Sequence, residues 1–302
     1  MKRLPFLHRV SFWYSWSGYR GSQFIWGFSR LLKKVPDSTL VKLPNGFPLI
    51  VNERDWITKT IYQGTYERSL LHFLNSLFLS NLVVDIGANI GVTLWHGLKS
   101  SSPTTKYIAL EPSKQCLPGL EVTTSHMEHK GILLKYAIGN LDGTQVMYGM
   151  DNEMHSGGAS LILHPGLQGN MGKVEIRKLD TIMKEYCDGS PVSLLKIDTE
   201  GFEEHIIAGA HKLLASGLVE IIIMEVSPNF GDVSYLTSVN QLVAKKYYWF
   251  MLAEKGRFKR SPLLRKISFR DSLEITKQWN LVLVRIDILD TYRHARHPLF
   301  LE

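Results

Sequence analysis

Four apolar runs in the middle of the chain each meet a carboxylate at or near their end. Leu82-Val83-Val84 stops at Asp85, Tyr107-Ile108-Ala109-Leu110 at Glu111 and Val192 to Ile197 at Asp198, while Val219 to Val226 carries Glu225 near its end. Such runs lack polar alternation, which predicts parallel strands covered on both faces. Leu133 to Gly139 predicts another strand of this set, and Thr144 to Gly149 a further short one. Lys173 to Lys178 alternates apolar and charged residues and predicts an edge-type strand, and Tyr247 to Ala253 and Leu281 to Asp287 predict the last two. Between the strands the apolar spacing turns helical. It does so over 61–79 through Leu70, Leu71, Phe73, Leu74, Leu77 and Phe78, then over 92–98, 113–127, 180–186 and 203–215. Strands alternating with helices predict an α/β fold with a parallel sheet. Upstream, Leu40 to Leu43 and Phe47 to Val51 flank Pro44-Asn45-Gly46, and the Asn-Gly pair predicts a hairpin.

The first central strand runs into Asp85-Ile86-Gly87-Ala88-Asn89-Ile90-Gly91, and a helix starts at Val92. A glycine turn at the carboxyl end of a first strand is where open α/β sheets bind nucleotide-like ligands. The dinucleotide fingerprint is G-x-G-x-x-G, with a pyrophosphate on the helix N-terminus. Here the pattern is D-x-G-x-N-x-G, with one glycine fewer and an acid at the strand end. That acid would repel a pyrophosphate and suits a cationic ligand, and S-adenosylmethionine carries both a sulfonium and an ammonium. Glu111 ends the next strand, where a carboxylate can accept both hydroxyls of an adenosine ribose. A solvated acid at a strand end is the plainer alternative.

Five motifs then follow in order: Val84-Asp85-Ile86-Gly87-Ala88-Asn89-Ile90-Gly91, Leu110-Glu111-Pro112, Ala137-Ile138-Gly139, Lys178-Leu179-Asp180-Thr181, and Leu195-Lys196-Ile197-Asp198-Thr199-Glu200-Gly201-Phe202-Glu203. With them the chain resembles the FkbM-type S-adenosylmethionine-dependent methyltransferases, roughly from Gln63 to Pro228. The resemblance implies a class I methyltransferase (Rossmann-like) fold: α/β, doubly wound, a mostly parallel sheet with a reversed final strand. An N-terminal helical and hairpin extension over 1–60 would precede a methyltransferase domain over 61–302. It implies S-adenosylmethionine as cofactor, held by Asp85, Gly87, Ala88, Asn89, Gly91, Glu111, Ala137 and Asp198. Glu67 joins them through a G-x-Y-E-like element, Gly64-Thr65-Tyr66-Glu67, although an acid at a helix start is equally natural. The implied reaction is O-methylation of a carbohydrate, glycolipid or secondary metabolite.

Methyl transfer is an in-line displacement in which the acceptor must be positioned and must lose its proton. Asp198, Glu200 and Glu203 are the candidate catalytic residues, at the rim where substrate meets cofactor in doubly wound sheets. Asp198 ends its strand, Glu200 sits in the turn, and Glu203 falls in a first helical turn where its charge is favourable anyway. His205 is a natural general base by residue type, but helix geometry can turn it from the rim. Asp198 with Glu225 could hold a divalent cation through carboxylate oxygens, yet the spacing demands none, and no metal is expected.

Charge distribution adds one feature. The net charge is +7, yet seven basic residues and no acid precede Asp37, and 28 bases and 28 acids make up the rest. The first 36 residues also hold Phe12, Trp13, Tyr14, Trp16, Tyr19, Phe24, Trp26 and Phe28. No window approaches a membrane span, and His8 and Arg9 interrupt what could be a cleavable leader. Two readings stand: a helix packed on the domain, favoured here, and an interfacial helix on an anionic membrane. A second basic cluster runs from Lys255 through Arg257, Lys259, Arg260, Arg265 and Lys266 to Arg270, in the loop between the last two strands. The glycine-rich stretch 151–172, with His155 and His164, is a candidate lid. Cys116 and Cys187 give neither a disulfide framework nor a metal spacing, so a cytoplasmic protein is expected, with peripheral contact to the inner face of a membrane through residues 1–36. Expected partners are a small-molecule or glycan hydroxyl acceptor and no nucleic acid. A dinucleotide-dependent oxidoreductase and a non-catalytic membrane- or nucleic-acid-binding module are the alternatives.

Overall fold

The computed structural model describes residues 1–19, 21, 24–27, 35–52, 54–149, 158–163, 167, 169–187, 189–228, 233–255 and 261–294. Of the features given above, four of the seven early basic residues (Arg20, Arg30, Lys33 and Lys34), Phe28, residues 151–157 with His155, and His164, Arg257, Lys259 and Arg260 lie outside the described residues. The lid expected over 151–172 is therefore described only in part.

A two-residue strand, β1 (Lys2–Arg3), precedes helix α1 (Phe6–Trp16). β1 pairs in parallel with β2 (Leu40–Lys42), which forms the expected antiparallel hairpin with β3 (Pro48–Ile50). The pattern read as one helix over 61–79 is two helices, α2 (Trp56–Gln63) and α3 (Arg68–Ser76). The break is Gly64, which caps α2 in the left-handed conformation at φ 72°, a common way for a helix to end.

The body then alternates. Strand β4 (Leu82–Ile86) leads to helix α4 (Val92–Leu98), β5 (Lys106–Leu110) to α5 (Leu117–Ser125), and β6 (Gly131–Leu134) follows. The strand expected over 133–139 is split at Lys135-Tyr136, and its second half is a separate strand, β7 (Ala137–Ile138). β7 joins β8 (Gly143–Gly149), β9 (Ala159–Ser160) and β10 (Gly169–Arg177) in a four-stranded sheet of order β7-β10-β8-β9. The alternating strand expected at an edge over 173–178 is interior here, paired with β7 on one side and β8 on the other. Its alternation reflects one exposed face of a small sheet, a pattern that does not distinguish edge from interior.

Helix α6 (Leu179–Cys187) precedes β11 (Val192–Ile197), and α7 (Glu203–Gly209) and α8 (His211–Ser216) precede β12 (Val219–Val226). The Asp180 carboxylate accepts hydrogen bonds from Lys212 N and Leu213 N at 2.9 Å, capping α8. Helix α9 (Tyr235–Val243), β13 (Tyr247–Lys255), β14 (Ser261–Lys266), α10 (Phe269–Leu273), β15 (Trp279–Arg285) and α11 (Ile286–His294) complete the chain. The main sheet has the order β14-β13-β15-β12-β11-β4-β5-β6. β15 runs antiparallel to both its neighbours, as expected of a reversed final strand. The basic stretch expected to be a loop partly forms β14, antiparallel to β13, and Lys266 Nζ sits 4.2 Å from the Tyr248 ring centroid.

Each face of the sheet has its own core. Val84, Ile86, Ile108, Leu110, Leu195 and Ile197 face one, and Val83, Ala109, Leu194 and Ile223 the other. The two-residue period of a strand makes this division. The second core also contains Phe12, Trp16, Trp26, Leu43 and Phe47. Burying a side chain such as Phe12 contributes about 2–3 kcal/mol, so α1 and the hairpin are packed on the body. Asn45, in the hairpin turn, bonds His96 Nε2 of α4 at 3.1 Å.

Candidate active site

Three left-handed residues shape the turn after β4: Gly87 at φ 73°, Asn89 at 52° and Gly91 at 84°. Asparagine is among the non-glycine residues that tolerate this region. The alternation swings successive amides toward the end of β5. Gly87 N and Ala88 N donate to Leu110 O at 3.0 and 3.1 Å, and Asn89 N donates to Glu111 Oε2 at 2.8 Å. Ser113 N donates to Glu111 Oε1, also at 2.8 Å. Burial pushes the Glu111 carboxyl up to about 7, against these two amides, which favour its ionised form.

The turn forms one wall of a cleft at the carboxyl ends of β4, β5 and β11. Gly87, Ala88, Asn89, Glu111, Ala137, Asp198 and Glu200 all line it, so seven of the residues expected at the site come together. Buried Asn89 Oδ1 and Ser113 Oγ lack hydrogen-bond partners, and both residues line the cleft. Unmatched polar atoms beside a carboxylate held by two amides suit the hydroxyls of a nucleoside, and Tyr136, Ala137, Ile138 and Met147 add a mostly apolar wall suited to its base. The residues present thus fit S-adenosylmethionine.

Asp85, Gly91, Glu67 and Glu203 do not line the cleft. Asp85 is buried behind the turn, where Thr93 Oγ1 donates to its Oδ2 at 2.9 Å and Lys196 Nζ lies 3.4 Å from its Oδ1. Lys196 Nζ also lies 3.1 Å from Asp198 Oδ2 and 3.4 Å from Gly87 O. Burial opposes the charge of Lys196, but the Asp198 and Asp85 carboxylates outweigh it and raise its pKa. One ammonium thus joins the ends of β4 and β11. Gly91 is left-handed at the start of α4, against Thr123 and Leu120. Glu67 is exposed, with Asn280 Nδ2 3.4 Å from its Oε2, while its neighbour Tyr66 lines the cleft.

Around Asp198 the carboxylates crowd together. Oxygens of Asp198, Glu200 and Glu225 lie within 4.8 Å of one another, a set of oxygen donors that a divalent cation could bridge. Glu200 has a left-handed backbone, φ 54°, ahead of Gly201 at 96°. Burial, then Asp198 and Glu203, push its carboxyl up to about 8. Burial, then Asp198 and Glu200, push Glu225 up to about 9, while Ser227 Oγ and Gln278 Nε2 donate to it. Glu203 is 2 % exposed. Its Oε1 accepts from Thr199 N, Thr199 Oγ1 and Gly201 N at 3.0, 3.1 and 3.3 Å. It therefore clamps the turn that presents Glu200. The His205 ring stacks on Phe202 at 4.2 Å and does not line the cleft.

Sequence reasoning missed Tyr66 and Lys196 as site residues. Tyr66 stands in the Gly64-x-Tyr66-Glu67 element, directly before the acid expected at the site. Lys196 is a single charge in an otherwise apolar strand (Val192–Ile197), and such a charge needs a partner when buried.

The FkbM methyltransferase domain profile matches residues 85–248. No curated protein sequence matches the chain significantly. Among solved structures, the methyltransferase FkbM of Methylobacillus flagellatus KT is similar at 14 % identity and a TM-score of 0.41, over 88 % of this chain and 71 % of that one. A precorrin-6y C5,15-methyltransferase from Geobacter metallireducens GS-15 is similar at 12 % identity and a TM-score of 0.36, over 74 % of this chain and 89 % of that one. The domain match takes in the glycine turn, Glu111 and the Lys196–Glu203 stretch, and with it the chain belongs to the FkbM family of S-adenosylmethionine-dependent methyltransferases.

Proposed function

We propose that the chain methylates a hydroxyl oxygen of a carbohydrate, glycolipid or secondary metabolite. The observation that carries this reading is the shared cleft: the cofactor-side groups Asn89 and Glu111 and the raised carboxylate of Glu200 line one cavity. Bound S-adenosylmethionine supplies an electrophilic methyl group. Glu111 would accept the ribose hydroxyls, Gly87 to Asn89 would lie against the ligand, and Ala137 would back the adenine. Asp198, fixed by Lys196, would orient the acceptor. Glu200 would take the hydroxyl proton, since a carboxylate with a raised pKa is a stronger base. Glu203 holds the turn in place. The acidic wall favours a neutral or cationic acceptor over an anionic one, because like charge in a partly desolvated cleft is costly.

The test is incubation of the protein and S-adenosylmethionine with panels of glycans, glycolipids and hydroxylated metabolites, following S-adenosylhomocysteine release and product mass. An O-methyl product formed by the wild type and lost in Glu200→Gln is the expected result. Methyl recovered on nitrogen or carbon would overturn the hydroxyl assignment.

A further inference from the structure

A helix on a protein surface ordinarily turns a polar face to water. Helix α1 does not. At 100° per residue, His8, Ser11, Phe12, Ser15 and Trp16 form its buried side. The opposite arc reads Arg9, Trp13, Phe6, Val10, Tyr14 and Leu7, without an acid. Phe6 is 72 % exposed, Trp13 and Val10 46 %, and Leu7 39 %. Phe24 adds a ring 86 % exposed. It belongs to the segment 24–27, which packs beside α1: Ser11 Oγ reaches Ile25 O, and the Trp26 ring lies 5.4 Å from His8. Arg9 is exposed within this arc, Lys2 and Arg3 are exposed in the strand just ahead of the helix, and no acid occurs before Asp37.

We propose that the outer face of α1 and Phe24 form a docking surface for an anionic lipid bilayer. Aromatic and aliphatic side chains in one arc suit the headgroup–acyl boundary, and exposed cations beside them suit anionic lipid. A second copy of the chain fits less well, because a two-fold contact on this face would bring two sets of Lys2, Arg3 and Arg9 into one interface to which the first 36 residues contribute no acid. No helix among the described residues is long and apolar enough to cross a membrane, so the contact is peripheral. The inner side of α1 ties this surface to the cleft. A Cβ on Gly64 would stand 3.1 Å from Phe12 O and 3.2 Å from its ring, and Gly64 lies two residues before the cleft residue Tyr66.

The experiment is sedimentation of the full chain with vesicles of phosphatidylcholine, with and without phosphatidylglycerol, for the wild type and two variants. One is Phe6→Ser/Trp13→Ser/Phe24→Ser and the other Lys2→Glu/Arg3→Glu/Arg9→Glu. The wild type should partition onto the phosphatidylglycerol vesicles at least about tenfold more strongly than onto phosphatidylcholine alone. Both variants should lose that preference while still binding S-adenosylhomocysteine, which shows that they are folded. If one variant fails to bind S-adenosylhomocysteine, the other decides, since the charge reversals touch only exposed side chains. Equal partitioning onto both vesicle types, or binding unchanged by both variants, would overturn the proposal. So would lipid-independent self-association abolished by the aromatic variant, which would make the face a contact between copies.

Discussion

A Cβ placed on Gly87 would stand 1.8 Å from the carbonyl oxygen of Asp198. The glycine turn after β4 and the end of β11 are thus in close backbone approach, and Gly87 is also left-handed at φ 73°. Gly87→Ala is expected to cost at least about 2 kcal/mol from the backbone conformation and the clash together. It should also weaken S-adenosylhomocysteine binding by more than tenfold. Urea denaturation and calorimetric titration check the two effects separately.

Glu203 gives a different signature from a proton acceptor. Its Oε1 takes three hydrogen bonds from the turn at Thr199 and Gly201. Glu203→Gln keeps an acceptor oxygen there and should retain most activity. Glu203→Ala leaves two turn amides without a partner, at about 1–3 kcal/mol, and should reduce kcat sharply. Equal loss in both variants would instead point to a role in the chemistry. Steady-state kinetics with a thermal melt of each variant decides.

The reaction should show a basic limb. Glu200 takes a proton only when ionised, and its carboxyl is pushed up to about 8. kcat is therefore expected to rise as pH passes through about 8 and then level off. In Glu200→Gln the residual rate should fall about 100- to 10,000-fold and lose this limb. A pH profile of kcat in both proteins reads the result, and an unchanged limb in the variant would assign it to another group.

Stability should run the other way. In Glu111 and Glu225 the folded carboxyls are pushed up to about 7 and about 9, above the unfolded value of about 4.3. Between these values the unfolded chain has released protons that the folded chain still holds. The stabilising contribution is complete below about pH 4.3 and is lost as pH rises through 7 and 9. The urea midpoint of the ligand-free protein should decline across that window. Glu225→Gln should flatten its upper part, with a gain of about 1 kcal/mol at pH 9.

What could be read from the sequence was what local pattern encodes. The four runs ending at acids became β4, β5, β11 and β12, because strands buried on both faces must be apolar throughout. The turn at Gly87 and Gly91 was legible because only glycine tolerates those positions freely, and Glu111 because it ends the neighbouring strand. Strand β14 was not legible: Pro262, Arg265 and Lys266 read as loop, and only pairing with β13 makes them extended. The four-stranded sheet around β10 likewise depends on partners distant in sequence. Lys196 gave no sign of which acids it would meet, since Asp85 lies more than a hundred residues earlier and only the parallel register of β4 and β11, Lys196 beside Asp85, brings them together. Glu203 was legible as a helix-start acid, but its grip on the turn required the left-handed backbone at Glu200 and Gly201. The dinucleotide alternative drew on the fold alone, and the family assignment removes its basis.

The ammonium of Lys196, shared between Asp85 and Asp198, constrains how this sequence can drift. Replacing the lysine leaves the buried Asp85 carboxylate and its neighbour Asp198 without a cation, typically at about 3–5 kcal/mol, a large part of what holds a protein folded, whereas replacing either aspartate leaves the lysine one carboxylate partner. A neutral residue at position 196 therefore becomes tolerable only beside a matching change at Asp85 or Asp198. The aspartates can thus vary one at a time among descendants of this chain while the lysine stays, and a protein that has exchanged the lysine alone would have to recover that stability elsewhere.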